Sequence, residues 1–153
     1  QKMIGAELKS QVEEGLIAIT DAGIDIQESL LFPSTSASIT QSGQGVLKYV
    51  AKALQAASES DSTFMVMVCG FTDDQPIDSE TYSNWELSSE RATNVVKSLV
   101  EKGFQPERIF ASGFGEFQPK VPNSSQRNRA INRRVEIRRV PFEKSKFSFK
   151  KGS

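Results

Sequence analysis

The run Phe64-Met65-Val66-Met67-Val68-Cys69 holds six apolar residues in a row and stops at Gly70. Six residues suit a strand and are too few for a buried helix, so the run predicts a central strand covered on both faces. The rest of the chain must be arranged around it. Residues 40 to 57 carry Val46, Leu47, Val50, Leu54 and Ala57 at helical spacing, and a serine-rich break follows over residues 58 to 62. Ser83-Asn84-Trp85-Glu86 has capping-box spacing, with Asn84 a competing N-cap and Trp85 set to cover the helix start. It opens a second helix with an inner stripe of Val95, Val96, Leu99 and Val100, stopped by Gly103. Further strands are expected at residues 109 to 114 and 134 to 140, and a short helix over Gln126 to Asn132. Leu16, Ala18, Ile24 and Ile26 alternate around Thr20-Asp21-Ala22-Gly23 and predict a hairpin. Leu31-Phe32-Pro33-Ser34 is read as the end of its second strand and the start of an irregular loop through Ser38. This order of elements predicts an α/β (α+β) fold, with helices packed on one face of a mixed sheet.

Residues 1 to 14 place Met3, Ile4, Leu8 and Val12 on one face of a short helix with no clear partner in so small a chain. The expected organisation is therefore a linker helix over 1–14, one domain over 15–142 and a basic tail over 143–153. At 153 residues with 37% hydrophobic content, the chain can bury one real core. It begins at Gln1 with no initiator Met or signal peptide, which reads as a fragment whose membrane anchor, if the parent has one, lies upstream.

Acidic and basic residues balance at 19 each, but the signs are segregated. Ten Lys and Arg stand against two Glu from Arg127 to Lys151, as a basic tail with solvated faces or a functional basic rim. Overall neutrality, without a basic stripe interleaved with aromatics, argues against nucleic acid as partner. The absence of His removes His-based acid–base chemistry, Ser-His triads and His zinc sites. Cys69 has no cysteine to pair with and is expected as a small buried hydrophobe.

Six acidic residues and no basic one lie between Asp73 and Glu90, after which Arg91 arrives on the second helix. A strand-end carboxylate held near a helix guanidinium suits a zwitterion, the Asp taking an ammonium and the Arg a carboxylate. The plainer reading is a surface ion pair worth about 0–1 kcal/mol, with Asn84 only a cap. An enzyme using Asp73 and Asp78 as acid and base is disfavoured, because a loop gives the two carboxyls no reason to hold a fixed separation.

Gly70-Phe71-Thr72-Asp73, then Asn84, Leu87-Ser88 and Arg91-Ala92, then Gly113, Gly115 and Pro119, and finally Asn128-Arg129-Ala130 with Asn132-Arg133-Arg134-Val135-Glu136-Ile137 stand in one order. In that order the chain resembles OmpA-like peptidoglycan-binding domains over roughly residues 30 to 140. Leu31-Phe32-Pro33-Ser34, Asp73-Asp74-Gln75-Pro76-Ile77 and Tyr82 to Ser88 make it most similar, within that family, to the periplasmic domains of flagellar stator subunits. The resemblance implies that Asp73 and Arg91 hold the diaminopimelate or equivalent end of a stem peptide. It implies that Thr72, Asn84 and Leu87 line the pocket and that Arg129 approaches it. One of Arg133 and Arg134 is expected to brace a carboxylate or carbonyl, the other to face solvent. Phe71 stands where many members carry His, so aromatic packing is kept and a His hydrogen bond to ligand is not. The longer acidic loop, residues 74 to 83, would shape access to the site.

By the same resemblance the domain is non-catalytic, needs no cofactor or metal, and anchors an ion-driven membrane stator complex to the cell wall. Its partners would be the peptidoglycan stem peptide, a second copy in a homodimer, and a membrane ion-channel subunit. It would be the periplasmic domain of a single-pass inner-membrane protein. The alternatives are a subunit of a phage-defence or secretion complex, or an outer-membrane or lipoprotein wall tether.

Overall fold

A computed structural model describes residues 8–77 and 79–141 of the chain. Its elements run α1 (Lys9–Glu13), β1 (Ile17–Thr20), β2 (Gly23–Gln27), a 3-10 turn (Glu28–Leu30), α2 (Gln41–Ser60), β3 (Phe64–Phe71), α3 (Asn84–Glu101), a second 3-10 turn (Pro106–Arg108), β4 (Ile109–Gly113), α4 (Gln126–Asn132) and β5 (Arg134–Pro141). The strands form one sheet in the order β1-β2-β5-β3-β4. β3 and β4 are parallel, joined through α3, and the other neighbours are antiparallel. The expected mixed sheet with helices on one face is therefore present.

Local chemistry accounts for most boundaries. β1 and β2 pair directly around Asp21-Ala22, as the hairpin spacing predicts. Gly23 has φ +147°, and a Cβ there would lie 1.9 Å from the Ile137 carbonyl oxygen, so only glycine lets β5 approach. The Thr40 hydroxyl caps α2 by accepting the Gly43 N–H at 3.0 Å. α2 continues to Ser60, past the serine-rich stretch read as a break; the Ser60 hydroxyl donates to the Ala56 carbonyl at 3.3 Å, which keeps it within the helix. β2 ends at Gln27, earlier than expected. The chain turns over Glu28–Leu30 and sends Leu31 and Phe32 into the core.

One core lies between the sheet and the two long helices. Val66 and Val68 of β3, Val135 and Ile137 of β5 and Ile24 and Ile26 of β2 meet Val46, Leu47, Val50 and Leu54 of α2 and Val95 and Leu99 of α3. The expectation that β3 is covered on both faces is corrected: Met65 and Met67 are only half-buried. The opposite face carries a charge ladder in which Arg138 pairs with Asp25 at 2.6 Å and Glu136 at 3.2 Å, and Arg134 with Glu136 at 2.7 Å. Met65, Met67 and Cys69 flank that ladder, and Cys69 itself is a free, buried thiol.

The first helix also differs from its reading. Leu8 is buried in the core and Val12 packs against it, so the half of the stripe within the described residues has a partner in this chain. Met3, Ile4, Asp78 and the basic tail over 143–153 lie outside the described residues. Among the described residues no helix is long and apolar enough to cross a membrane.

Candidate functional site

Two glycines set the site by letting α3 close on the sheet. A Cβ at Gly70 would meet the Ser88 carbonyl oxygen at 2.2 Å, and one at Gly113 the Ser89 hydroxyl at the same distance. α3 therefore crosses directly over the paired ends of β3 and β4. Thr72 and Asp73 leave β3 beneath its first turns. Its N-terminus is fixed by the Ser83–Glu86 capping box, so Ser83 and not Asn84 is the N-cap.

Thr72, Asp73, Asn84, Leu87 and Arg91 line one pocket of about 200 Å³ together with Glu28 and Arg133. Five of the six residues expected to bind ligand are thus brought together. Arg91 is 3% exposed. It donates from Nη1 to Glu28 Oε2 at 2.6 Å, from Nε to the Ser36 carbonyl at 2.8 Å and from Nη2 to the Pro33 carbonyl at 3.2 Å. Its guanidinium also lies 4.8 Å from the Phe32 ring centre. Asp73 accepts the Gln75 N–H on Oδ1 at 2.9 Å and Arg133 Nη1 on Oδ2 at 2.7 Å. Arg133 Nε lies 3.3 Å from Glu28 Oε1. The charges therefore alternate along Asp73, Arg133, Glu28 and Arg91. The direct Asp73–Arg91 approach expected from the sequence is replaced by a link through two further residues.

The neighbours hold this chain of charges in place. Asn84 donates from Nδ2 to the carbonyls of Asp73 at 3.3 Å and Gln75 at 3.0 Å, so it ties the acidic loop to the helix start. Thr72 donates its N–H to the Gly115 carbonyl at 2.9 Å and its hydroxyl to the Asp73 carbonyl at 2.9 Å. Leu87 is a buried apolar wall. Arg129 does not line the pocket; its Nε is 3.1 Å from Asp74 Oδ1, where it restrains the residue next to Asp73.

Glu28 was missed because nothing around it in the sequence marks a site. It arrives through the fold, its backbone N–H donating to the Arg133 carbonyl at 2.9 Å. Arg133 had a signal in its motif and is the member of the Arg133–Arg134 pair that reaches the pocket. Arg134 is the expected brace, buried, 3.9 Å from the Phe71 ring centre and paired with Glu136, while Arg133, 31% exposed, is paired with Asp73 and Glu28 and does not simply face solvent. Phe71 stacks on Phe114 at 5.0 Å, the aromatic packing expected for it. Trp85, in the first turn of α3, is 49% exposed and stacks on Phe117 at 5.0 Å.

Chemically, the pocket offers paired carboxylates and guanidiniums. Among the described residues no group of three or more His, Cys, Asp or Glu could hold a metal ion. Such a site can hold a ligand with separated ammonium and carboxylate groups.

The OmpA family model matches residues 31–133. Motility protein B of Helicobacter pylori is 33% identical over 129 residues, covering 83% of this chain and 47% of that protein. Motility protein B of Bacillus subtilis is 33% identical over 120 residues, covering 77% and 44%. The chain thus spans about half the length of these curated relatives. Among solved structures, the periplasmic domain of Helicobacter pylori MotB superposes with a TM-score of 0.71 at 32% identity, over 83% of this chain and 82% of that one. The cell wall anchor of the T6SS from Pseudomonas aeruginosa superposes with a TM-score of 0.76 at 32% identity, over 92% and 97%.

Proposed function

This chain belongs to the OmpA family, and we propose that its charged pocket binds the stem peptide of peptidoglycan without catalysing any reaction on it. The observation that carries this reading is the partly open alternation of charge, in which Arg133 keeps 31% of its side chain exposed between the carboxylates of Asp73 and Glu28. Asp73 receives the ligand's ammonium. The ligand carboxylate is received by Arg133 and by the Arg91 N–H groups that have no partner among the described residues, since a guanidinium has five donors and three are used by Glu28, Ser36 and Pro33. Thr72, Asn84 and Leu87 shape the wall, and Arg129 acts through Asp74.

The wider role is to anchor an ion-driven stator complex of the flagellar motor to the wall. Support comes from the likeness to proteins named Motility protein B and to the MotB periplasmic domain. The likeness to a structure titled as a cell wall anchor supports the wall-binding half of the reading independently of the machine served. In this role the domain lies in the periplasm and belongs to a single-pass inner-membrane protein that works as a homodimer beside an ion-channel subunit. The dimer rests on that likeness alone, because Leu8 and Val12, half of the stripe that suggested it, pack in the chain's own core.

Co-sedimentation with purified sacculi tests the site. Asp73→Ala and Arg133→Ala should each abolish sedimentation while circular dichroism stays unchanged; variants that sediment like the native domain overturn the assignment. For the wider role, the parent gene should encode one transmembrane helix bearing an Asp, and Asp73→Ala should stop swimming without lowering the protein's level.

A further inference from the structure

Among the described residues three large hydrophobic side chains are exposed, Trp85, Phe110 and Phe117, and two of them are stacked on each other. The Trp85 and Phe117 rings lie 5.0 Å apart at 26°. Two hydrogen bonds of the Ser88 hydroxyl hold them there. Ser88 Oγ donates to the Trp85 carbonyl at 3.1 Å and accepts the Gly115 N–H at 2.9 Å, which ties the helix turn under Trp85 to the turn that carries Phe117. Gly115 has φ +61° and sits beneath both rings. The pair also adjoins the pocket: Asn84, the residue before Trp85, lines it, and so does Thr72, whose N–H is bound by Gly115.

From this we propose that Trp85 and Phe117 are a stacking platform for a saccharide ring of the polymer whose peptide occupies the pocket, a proposal that rests on the stem-peptide reading. A pyranose presents an apolar C–H face to the electron-rich face of an aromatic ring and turns its hydroxyls outward. Exposed residues near the pair in the chain include Glu86, Ser89 and Gln118, which are partners for hydroxyls. Area also selects against a protein. Two half-exposed aromatic rings offer roughly 200 Å², where a stable protein interface needs about 800 Å² from each partner.

The test measures three probes by calorimetry: the free stem peptide, the same peptide carried on its N-acetylated disaccharide, and a chitin oligosaccharide without peptide. The native domain should bind the disaccharide-peptide about fivefold more tightly than the peptide. Trp85→Ala with Phe117→Ala should remove that difference and leave peptide affinity unchanged, and Trp85→Phe, which keeps a ring face, should restore most of it. Equal affinity of the native domain for peptide and disaccharide-peptide overturns the proposal. So does a double variant that loses both ligands equally, or one whose only change is weaker self-association by light scattering. If the peptide fails to bind and the chitin oligosaccharide still alters Trp85 fluorescence, the pocket reading falls and the platform stands.

Discussion

Arg91 uses three N–H donors on Glu28 and on the carbonyls of Ser36 and Pro33, which lie more than fifty residues away in sequence. It is a strut for the 28–36 segment as well as a candidate ligand contact, and its substitution should read out in stability. Arg91→Ala leaves two carbonyls without a donor and Glu28 with Arg133 alone as partner, and should cost about 3 kcal/mol in urea unfolding. Lys should recover little of that, because one ammonium cannot span three divergent acceptors. Arg133, with 31% of its side chain exposed, is different. Arg133→Ala should cost about 1 kcal/mol or less and still abolish sacculus binding. Equal stability losses for the two would contradict this division of labour. Motif order pointed to Asp73, Thr72, Asn84, Leu87 and Arg91, and their shared pocket is present. It could not point to Glu28, whose place comes from β2 pairing with β5, a contact between segments more than a hundred residues apart.

At the scale of elements, helix starts were legible because short polar side chains mark them: Thr40, Ser83 and Ser125 each accept a backbone N–H of the turn they open. The faces of β3 were not legible, since an unbroken apolar run says that a strand is apolar and not what covers it. The α3 capping box makes a prediction about pH. Hydrogen bonds from the Ser83 hydroxyl and then the Ser83 N–H hold Glu86 below the usual glutamate range. A depressed carboxylate stabilises the fold above its unfolded pKa, and that contribution is lost as pH falls through its folded one. The start of α3 should therefore loosen in acid, below the range in which free glutamate titrates. Trp85, the sole tryptophan, donates its backbone N–H to the Ser83 hydroxyl at 3.2 Å and so sits beside the capping box. Its fluorescence should titrate in that window, and Glu86→Gln should remove the transition; an unchanged titration in that variant would assign it to another carboxylate. Gly70 tests the seat of the same helix. Gly70→Ala drives a methyl into the Ser88 carbonyl and should cost about 3 kcal/mol, with a loss of ligand binding that Ala at exposed Gly45, whose Cβ meets nothing, does not share.

For the whole molecule the question is where the domain begins. A helix of five residues such as α1 has little stability of its own, and its Lys9–Glu13 pair is exposed and 4.0 Å apart, so it adds little. What holds α1 is Leu8, buried at 4% exposure among side chains of the common core. Leu8 also sits at the N-cap, where it makes no capping hydrogen bond and where Asp would be a better residue. Leu8→Asp therefore sets two effects against each other: it improves the helix start and places a carboxylate in apolar surroundings. If the helix were a free linker, the first effect alone would act and the domain would unfold at the same urea midpoint or slightly higher. Because Leu8 is part of the core, the second should dominate and destabilise the entire domain by about 3 kcal/mol. The loss should appear as one cooperative transition, seen identically by circular dichroism and by Trp85 fluorescence at the far end of the sheet. Leu8→Met, which keeps an apolar chain of similar volume, should stay within about 1.5 kcal/mol of the native domain. An unchanged midpoint for Leu8→Asp would detach α1 from the folding unit and restore it as a linker free to pair with a second copy.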